Sequence, residues 1–231
     1  MKKKPKYLRD DILVAVTNYD FSDNADRLKK TFSKNFQTIL IDSNSPVPAK
    51  TADLIIENTY YPGLWNAAVR IAIENKFKWL MFVASDLQIT NVDLLCRLAS
   101  DAVGNARIGI WTPSLRKDSR TSFIALFNKG TNAIRECGIA EGFFFLSRVD
   151  LLATLYPISA KNTSGWGVDV ASSYRAFRKH LMTVVDDRIE IYHPAALEKH
   201  AIDVAKAEKD WQEYIAPEIQ LWRAYMFKIF Q

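Results

Sequence analysis

The sequence predicts an α/β protein with a Rossmann-like, mostly parallel central sheet flanked by helices and a helical C-terminal tail. Three observations predict it. Short apolar runs rich in β-branched residues recur through the first half, stretches of helical spacing separate them, and polar clusters follow the runs directly. An apolar run without alternation is what a strand buried on both faces presents. Regular strand–helix alternation implies right-handed crossovers and helices on both faces of a parallel sheet.

Ile12-Leu13-Val14-Ala15-Val16-Thr17, bounded by Asp11 and Asn18, reads as the first buried strand. Asp23 to Phe32 has helical spacing. Gln37 to Ile41 is a second strand ending at Asp42-Ser43-Asn44-Ser45-Pro46, and Asp53 to Glu57 a short third. Gly63 to Asn75 is amphipathic, with Leu64, Ala68, Ile71 and Ala72 on one side. Trp79 to Val83 is a fourth strand, ending at Ala84-Ser85-Asp86. Asn91 to Ala102 reads as a helix and Ile108 to Thr112 as a fifth strand.

The second half is less regular. Ser122 to Phe127 and Glu141 to Leu146 look like strands, Val149 to Leu155 and Asp169 to His180 like helices. Met182 to Val185 and Arg188 to Tyr192 suggest two more strands. From Ala195 to Gln231 the pattern is mostly helical, broken near Pro217. No linker or repeat interrupts the 231 residues, so one domain is expected over 1–194, with 195–231 a helical extension packed on it.

Composition is ordinary for a globular chain, at 48% hydrophobic and 25% charged. The net charge of +5 suits an anionic partner, but Lys and Arg are dispersed among carboxylates and form no basic stripe with aromatics. That argues against nucleic acid. Cys96 and Cys137 have neither metal-ligand nor disulfide-framework spacing, which fits a reducing cytoplasm. The basic Met1–Lys6 start lacks an apolar h-region, and no apolar run is long enough to span a bilayer.

Ligands of open parallel sheets gather at the carboxyl ends of the strands. Asn18-Tyr19-Asp20, Asp42-Ser43-Asn44 and Ser85-Asp86 occupy such ends. After the first strand there is no glycine, so a dinucleotide fingerprint is excluded, and no Walker loop or nucleophile elbow is present.

Four segments in order resemble the GT-A glycosyltransferases, and among them inverting glycosyltransferase family 2. Ile12 to Tyr19 looks like the family's first strand and nucleotide-facing loop, and Ile39 to Ser45 like its second strand and acidic loop. Tyr61-Pro62-Gly63-Leu64-Trp65-Asn66-Ala67-Ala68, followed by Trp79 to Asp86, is similar to the helix start and Asp-x-Asp strand. Glu141 to Arg148, Gly165-Trp166-Gly167-Val168-Asp169 and Ile191-Tyr192-His193 resemble the acceptor-side strand, catalytic acid loop and late histidine. One departure stands out: the first acid of Asp-x-Asp is Ala84, leaving Asp86 alone.

The resemblance implies transfer of a sugar from a nucleotide-diphosphate sugar to an acceptor hydroxyl, with inversion, in bacterial surface glycan synthesis. Asp86 would bind the diphosphate and a divalent cation, Mn²⁺ or Mg²⁺, with His193 as a nitrogen ligand. The bland alternatives are a helix cap for Asp86 and a structural role for His193. Asp169 is the candidate base, and an N-cap is its competing role. Asn18, Tyr19 and Asp42 would meet the nucleoside, although Asp42 equally suits an Asx turn. Gly63, Asn66 and Ser85 would face the nucleotide, with a simple turn as the competing role of Gly63, and Trp166 would stack on a sugar or pack in the core. The acceptor would be a glycan or lipid-linked glycan. The aromatic, cationic tail Leu221 to Phe230 suits either packing on its own domain or a peripheral contact with the inner membrane. A catalytically silent nucleotide-sugar-binding or scaffold protein, permitted by Ala84, and a nucleotidyltransferase of related fold are the competing functions.

Overall fold

The computed structural model describes residues 10–194 and 203–230. The expected helical tail at 195–202 lies outside the described residues. Among the described residues eight strands form one sheet: β1 (Ile12–Asn18), β2 (Gln37–Asp42), β3 (Leu54–Ile55), β4 (Trp79–Ala84), β5 (Ile108–Leu115), β6 (Ile134–Glu136), β7 (Phe144–Arg148) and β8 (Met182–Ile191). The described helices are α1 (Ser22–Phe32), α2 (Tyr60–Glu74), α3 (Val92–Val103), α4 (Val149–Leu152), α5 (Val168–Arg178), α6 (Val204–Tyr214) and α7 (Pro217–Phe230). None is long and apolar enough to cross a membrane.

The strand order is β3-β2-β1-β4-β7-β5-β8-β6. β1 pairs in parallel with β2 and β4, whereas β7 runs antiparallel between β4 and β5. The chain turns to opposite sides of β1 to reach β2 and β4. That switch leaves a crevice at their carboxyl ends.

The reason these runs become strands is visible in the two-sided burial of β1. Ile12, Val14 and Val16 pack with Leu28 and Phe32 of α1 and with Leu95 and Ala99 of α3. Leu13 and Ala15 pack the other way, with Trp65 and Ala68 of α2 and Phe82 of β4. Period-two side chains need apolar residues at every position when helices cover both faces. Phe82 and Phe145 sit opposite each other across β4 and β7, with rings 5.5 Å apart and nearly parallel. Such a pair adds about 0.5–1.5 kcal/mol beyond its burial. Trp65 is fully buried, and truncating it to alanine would cost about 3–5 kcal/mol.

Two expectations need correction, and one strand, β6, has no counterpart in the sequence reading. The strand expected at 122–127 is instead a short 3₁₀ turn, Ile124–Leu126. The backbone donors leading into it go to side chains: Ser122 N–H to Glu141 Oε1 at 3.2 Å and Phe123 N–H to Thr121 Oγ1 at 2.9 Å. Local side-chain acceptors of this kind compete with a ladder. The two strands expected at 182–185 and 188–192 are the single β8, whose register to β5 jumps from Pro113↔Asp186 to Ser114↔Glu190. The edge strand β6 gave no readable period because it has three residues, one of them apolar.

α6 lies against the start of α5, and α7 packs on its second half. The ring of Trp222 meets Tyr174 edge-on at 5.5 Å, and Trp211 lies against Gly167.

Candidate active site

Asp86 follows β4 and is not a cap: Asn91 caps α3 by accepting from Leu94 N–H at 3.0 Å. A two-way backbone bridge between Gln88 and Tyr192 brings the end of β8 beside the end of β4. His193 consequently reaches Asp86, with Nε2 3.3 Å from Oδ2. The preceding loop seats the histidine: Ser119 Oγ accepts from His193 N–H, and the Arg120 carbonyl lies 2.8 Å from Nδ1. A proton on Nδ1 directed at that carbonyl leaves Nε2 as the outward nitrogen. Burial works against the imidazolium, but Asp86, the Arg120 carbonyl and Glu141 outweigh it and hold the His193 pKa above its ordinary value. The other oxygen of Asp86, Oδ1, is buried and accepts no hydrogen bond among the described residues. An unsatisfied buried carboxylate oxygen beside an oriented imidazole is an arrangement that a cation would satisfy. Among the described residues no third His, Cys, Asp or Glu joins them.

Asp169 lies in the first turn of α5 but is not its N-cap; Gly167 is, at φ 86°. Its carboxylate accepts from Val170 N–H at 2.7 Å and from Gly142 N–H at 3.2 Å. Burial raises the Asp169 pKa above the ordinary carboxylate value, against the lowering influence of those two amides and of the Arg223 charge. A carboxylate held partly desolvated is a stronger base than one in water. The segment that holds Asp169 also touches the Asp86 side: the Phe143 carbonyl accepts from Ala84 N–H at 2.9 Å, and the Phe143 ring stacks on His193 at 4.1 Å. Asp86, His193 and Asp169 therefore border one stretch of the sheet edge.

The remaining candidates divide. Asn18, Asp42 and Ser85 have at most 3% exposure and face one another rather than the crevice. Asn18 donates to Asp42 Oδ2 at 2.6 Å and accepts from Ser85 Oγ at 2.7 Å. Asp42 also accepts from Ser45 N–H, Ser45 Oγ and Ala49 N–H, which fills the acceptor capacity of a carboxylate. These three residues tie the strand ends together through hydrogen bonds among their own side chains. Asn66 is likewise engaged, exchanging hydrogen bonds with the Ile158 backbone at 2.8 and 3.1 Å. Gly63 makes room for Thr59, whose Oγ1 would lie 1.8 Å from a Cβ there. Tyr19 and Trp166 are half-buried; the Trp166 backbone is fastened within its loop by Ser164 Oγ.

Two residues near Asp169 were not anticipated. Glu141 accepts hydrogen bonds from Thr121 and Ser122, and burial pushes its carboxyl up to about 7. An acid opening the apolar run Phe143-Phe144-Phe145 is the sequence signal for it. The Tyr61 hydroxyl donates to the Gly142 carbonyl at 3.3 Å; burial, then the Asp169 charge, drive its pKa upward. Gly142 and Gly165 both lie so close to Tyr61 that a Cβ on either would come within 2.7 Å of its ring or hydroxyl. The glycines are visible in the sequence; the tyrosine they accommodate is not.

No family model matches the chain, and no curated protein matches its sequence. Among solved structures it is similar to GalNAc-T7 crystallised with UDP, GalNAc and Mn²⁺ (TM-score 0.60, 11% identity), over 81% of this chain and 43% of that one. It thus spans less than half the length of that structure. It is also similar to glucosyl-3-phosphoglycerate synthase from Mycobacterium tuberculosis in complex with Mn²⁺, UDP and glucosyl-3-phosphoglycerate (TM-score 0.58, 12% identity), over 91% and 84%. A mycobacterial protein aligns at TM-score 0.53 and 13% identity, over 83% and 69%. The chain has the GT-A fold of glycosyltransferases.

Proposed function

We propose that the protein is a nucleotide-sugar-dependent glycosyltransferase that inverts the anomeric centre, with Asp169 as base and Asp86 and His193 on the diphosphate side. The observation that carries this reading is the linkage of the two acids through Gly142 and Phe143. The acceptor hydroxyl oxygen attacks the anomeric carbon while the bond to the diphosphate breaks; the nucleotide diphosphate leaves with the electron pair, and Asp169 takes the hydroxyl proton. A raised Asp169 pKa favours that proton transfer near neutral pH. The unsatisfied Asp86 Oδ1 and the outward Nε2 of His193 would hold a divalent cation, Mn²⁺ or Mg²⁺, and two structurally similar glycosyltransferases carry Mn²⁺ with UDP. When bound, it supplies charge neutralisation for the diphosphate. Asp86 and His193 orient that side, and Tyr61 and Gly142 fix the loop that presents Asp169.

The same reading places residues 1–194 as the catalytic unit and 195–231 as its extension, working in the cytoplasm on a glycan or lipid-linked glycan in surface polysaccharide synthesis. Leu221, Tyr225 and Ile229, at 74%, 58% and 48% exposure, form a stripe along α7 that supports peripheral contact with the inner membrane. Tyr19 and Trp166 remain the candidates for base and sugar stacking. Thermal unfolding with UDP-, GDP- and CMP-sugars, with and without Mn²⁺, tests the reading: one nucleotide should stabilise in a metal-dependent way. Absence of a response to all three would overturn it.

A further inference from the structure

Arg223 of α7 is held in an unusual way. Its guanidinium carbon lies 5.3 Å from the centre of the Trp211 ring and 4.7 Å from that of Phe227. Neither contact uses any of its N–H donors, and its charge acts on Asp169 without a direct ion pair among the described residues. The two rings fix where the cation stands. Trp211 covers Gly167, where a Cβ would come within 2.3 Å of its ring, and Gly167 is two residues before Asp169. Phe227 packs on Phe123 at 5.0 Å, in the segment whose Thr121 and Ser122 are bound by Glu141. Arg223 therefore stands between the two segments that flank Asp169.

Arg223 is half-buried, and none of its nitrogens is both buried and unpartnered among the described residues, so its donors stay open to solvent and to a ligand. Its planar fork matches a carboxylate or phosphate. The surroundings supply a reason for it: Asp169, when ionised, would repel any anion brought to the base. A neutral sugar hydroxyl needs no cation here, whereas an acceptor bearing negative charge does.

We propose that Arg223 binds an anionic group, a phosphate or a carboxylate, on the acceptor next to the hydroxyl that reacts at Asp169. This deepens the transferase reading and rests on it. α7 thus contributes the specificity for charge, and the aromatic pair Trp211 and Phe227 sets the angle of the fork.

Calorimetric titration of the full chain tests this with glycerol 3-phosphate, glycerate and neutral glycerol, each with and without saturating UDP. The wild type should bind at least one anion and not glycerol, and which anion binds distinguishes phosphate from carboxylate. Arg223→Met should weaken that binding at least tenfold and leave UDP affinity unchanged, with Arg223→Lys in between. In the wild type, the Arg223 Nε–Hε NMR signal should shift on adding the anion, a readout that does not depend on the variants folding. Equal anion affinity in Arg223→Met, no anion binding by the wild type, or an unmoved signal would overturn the proposal. Arg223-dependent anion binding without any nucleotide binding would instead sink the transferase reading and leave the anion site standing.

Discussion

The backbone N–H of Gly142 donates to the carboxylate of Asp169 at 3.2 Å, while the next residue, Phe143, accepts from Ala84 two positions before Asp86. Two acids separated by 83 positions are thereby fastened to one short peptide segment. The fastening matters because displacement at a sugar carbon needs the base and the leaving-group side held on opposite flanks of the same atom. Small errors in such placement cost large factors in rate.

Asp169→Asn is expected to lower single-turnover transfer by about 10²–10⁴-fold, the usual contribution of a positioned base. Nucleotide affinity should stay within twofold or so of the wild type, since the amide keeps the acceptor for Gly142. The same change removes a desolvated charge, so the thermal midpoint should rise. A variant with full turnover would remove Asp169 from the chemistry.

The pH dependence follows from the same carboxyl. Asp169 must be ionised to act, and its pKa lies above the ordinary 3.8, with burial the main cause. Turnover should therefore fall on acidification at a pH higher than an ordinary aspartate would give. The stability effect has the opposite sense. A folded-state pKa above the unfolded one gives stability that is complete below the unfolded value and lost as pH rises through the folded value. Rate–pH profiles and thermal scans on one sample would separate the two; a rate unchanged down to about pH 4 contradicts the assignment.

Asp86→Ala should weaken Mn²⁺ and nucleotide binding together by at least ~10-fold, the cost of losing even an outer partner of a metal ligand. His193→Ala should do the same to a smaller degree, because Asp86 keeps its charge. Titration of each variant with Mn²⁺ and UDP is the measurement. Unchanged affinities for both would take the pair out of the site.

Much of the fold could be read from sequence because its central strands are covered on both faces. β1 and β4 contain little besides apolar residues, and their limits were expected to within one residue. β6 was not, since it pairs with a strand far along the chain, and neither was the 3₁₀ turn, since the backbone donors leading into it go to side chains. Site residues divide on similar lines. Asp86 and Asp169 were suggested by their place after a strand and at a helix start. Nothing local distinguishes Asn18 and Asp42, which bond one another across 24 positions, from residues that face a ligand. Arg223 and Tyr61 acquire meaning only from the glycines and rings brought to them by the fold.

Gly167→Ala should destabilise the protein by about 1–3 kcal/mol. The residue has φ 86°, and a methyl group there would come within 2.3 Å of the Trp211 ring. Displacing α6 to relieve that clash would shift the loop before Asp169, so turnover should fall more than nucleotide affinity. Denaturant unfolding and single-turnover assays would check both.

Arg135→Ala should cost about 3–5 kcal/mol, because it strands a buried charge. Arg135 reaches Asp187 at 3.1 Å, and the aspartate side chain is wholly buried. Although burial alone would raise the Asp187 pKa, the Arg135 and Thr131 hydrogen bonds lower it below the ordinary value. Its stabilisation is thus present above the unfolded pKa and lost as pH falls through the folded one. Urea midpoints measured at two pH values in wild type and variant would show whether the pair carries this stability.

The register jump in β8 has a consequence for how this molecule tolerates change. Between Pro113↔Asp186 and Ser114↔Glu190 the strand spends three more residues than its neighbour, held by Ser114 to Ile189 and Asn128 to Asp187. That surplus length sets how far along the edge His193 is delivered. Removing a single residue from 187–189 would turn the imidazole to the other side of the ribbon, away from Asp86. Substitutions there are expected to be forgiven more readily than changes in length, which makes the spacing of this segment a ruler for the histidine.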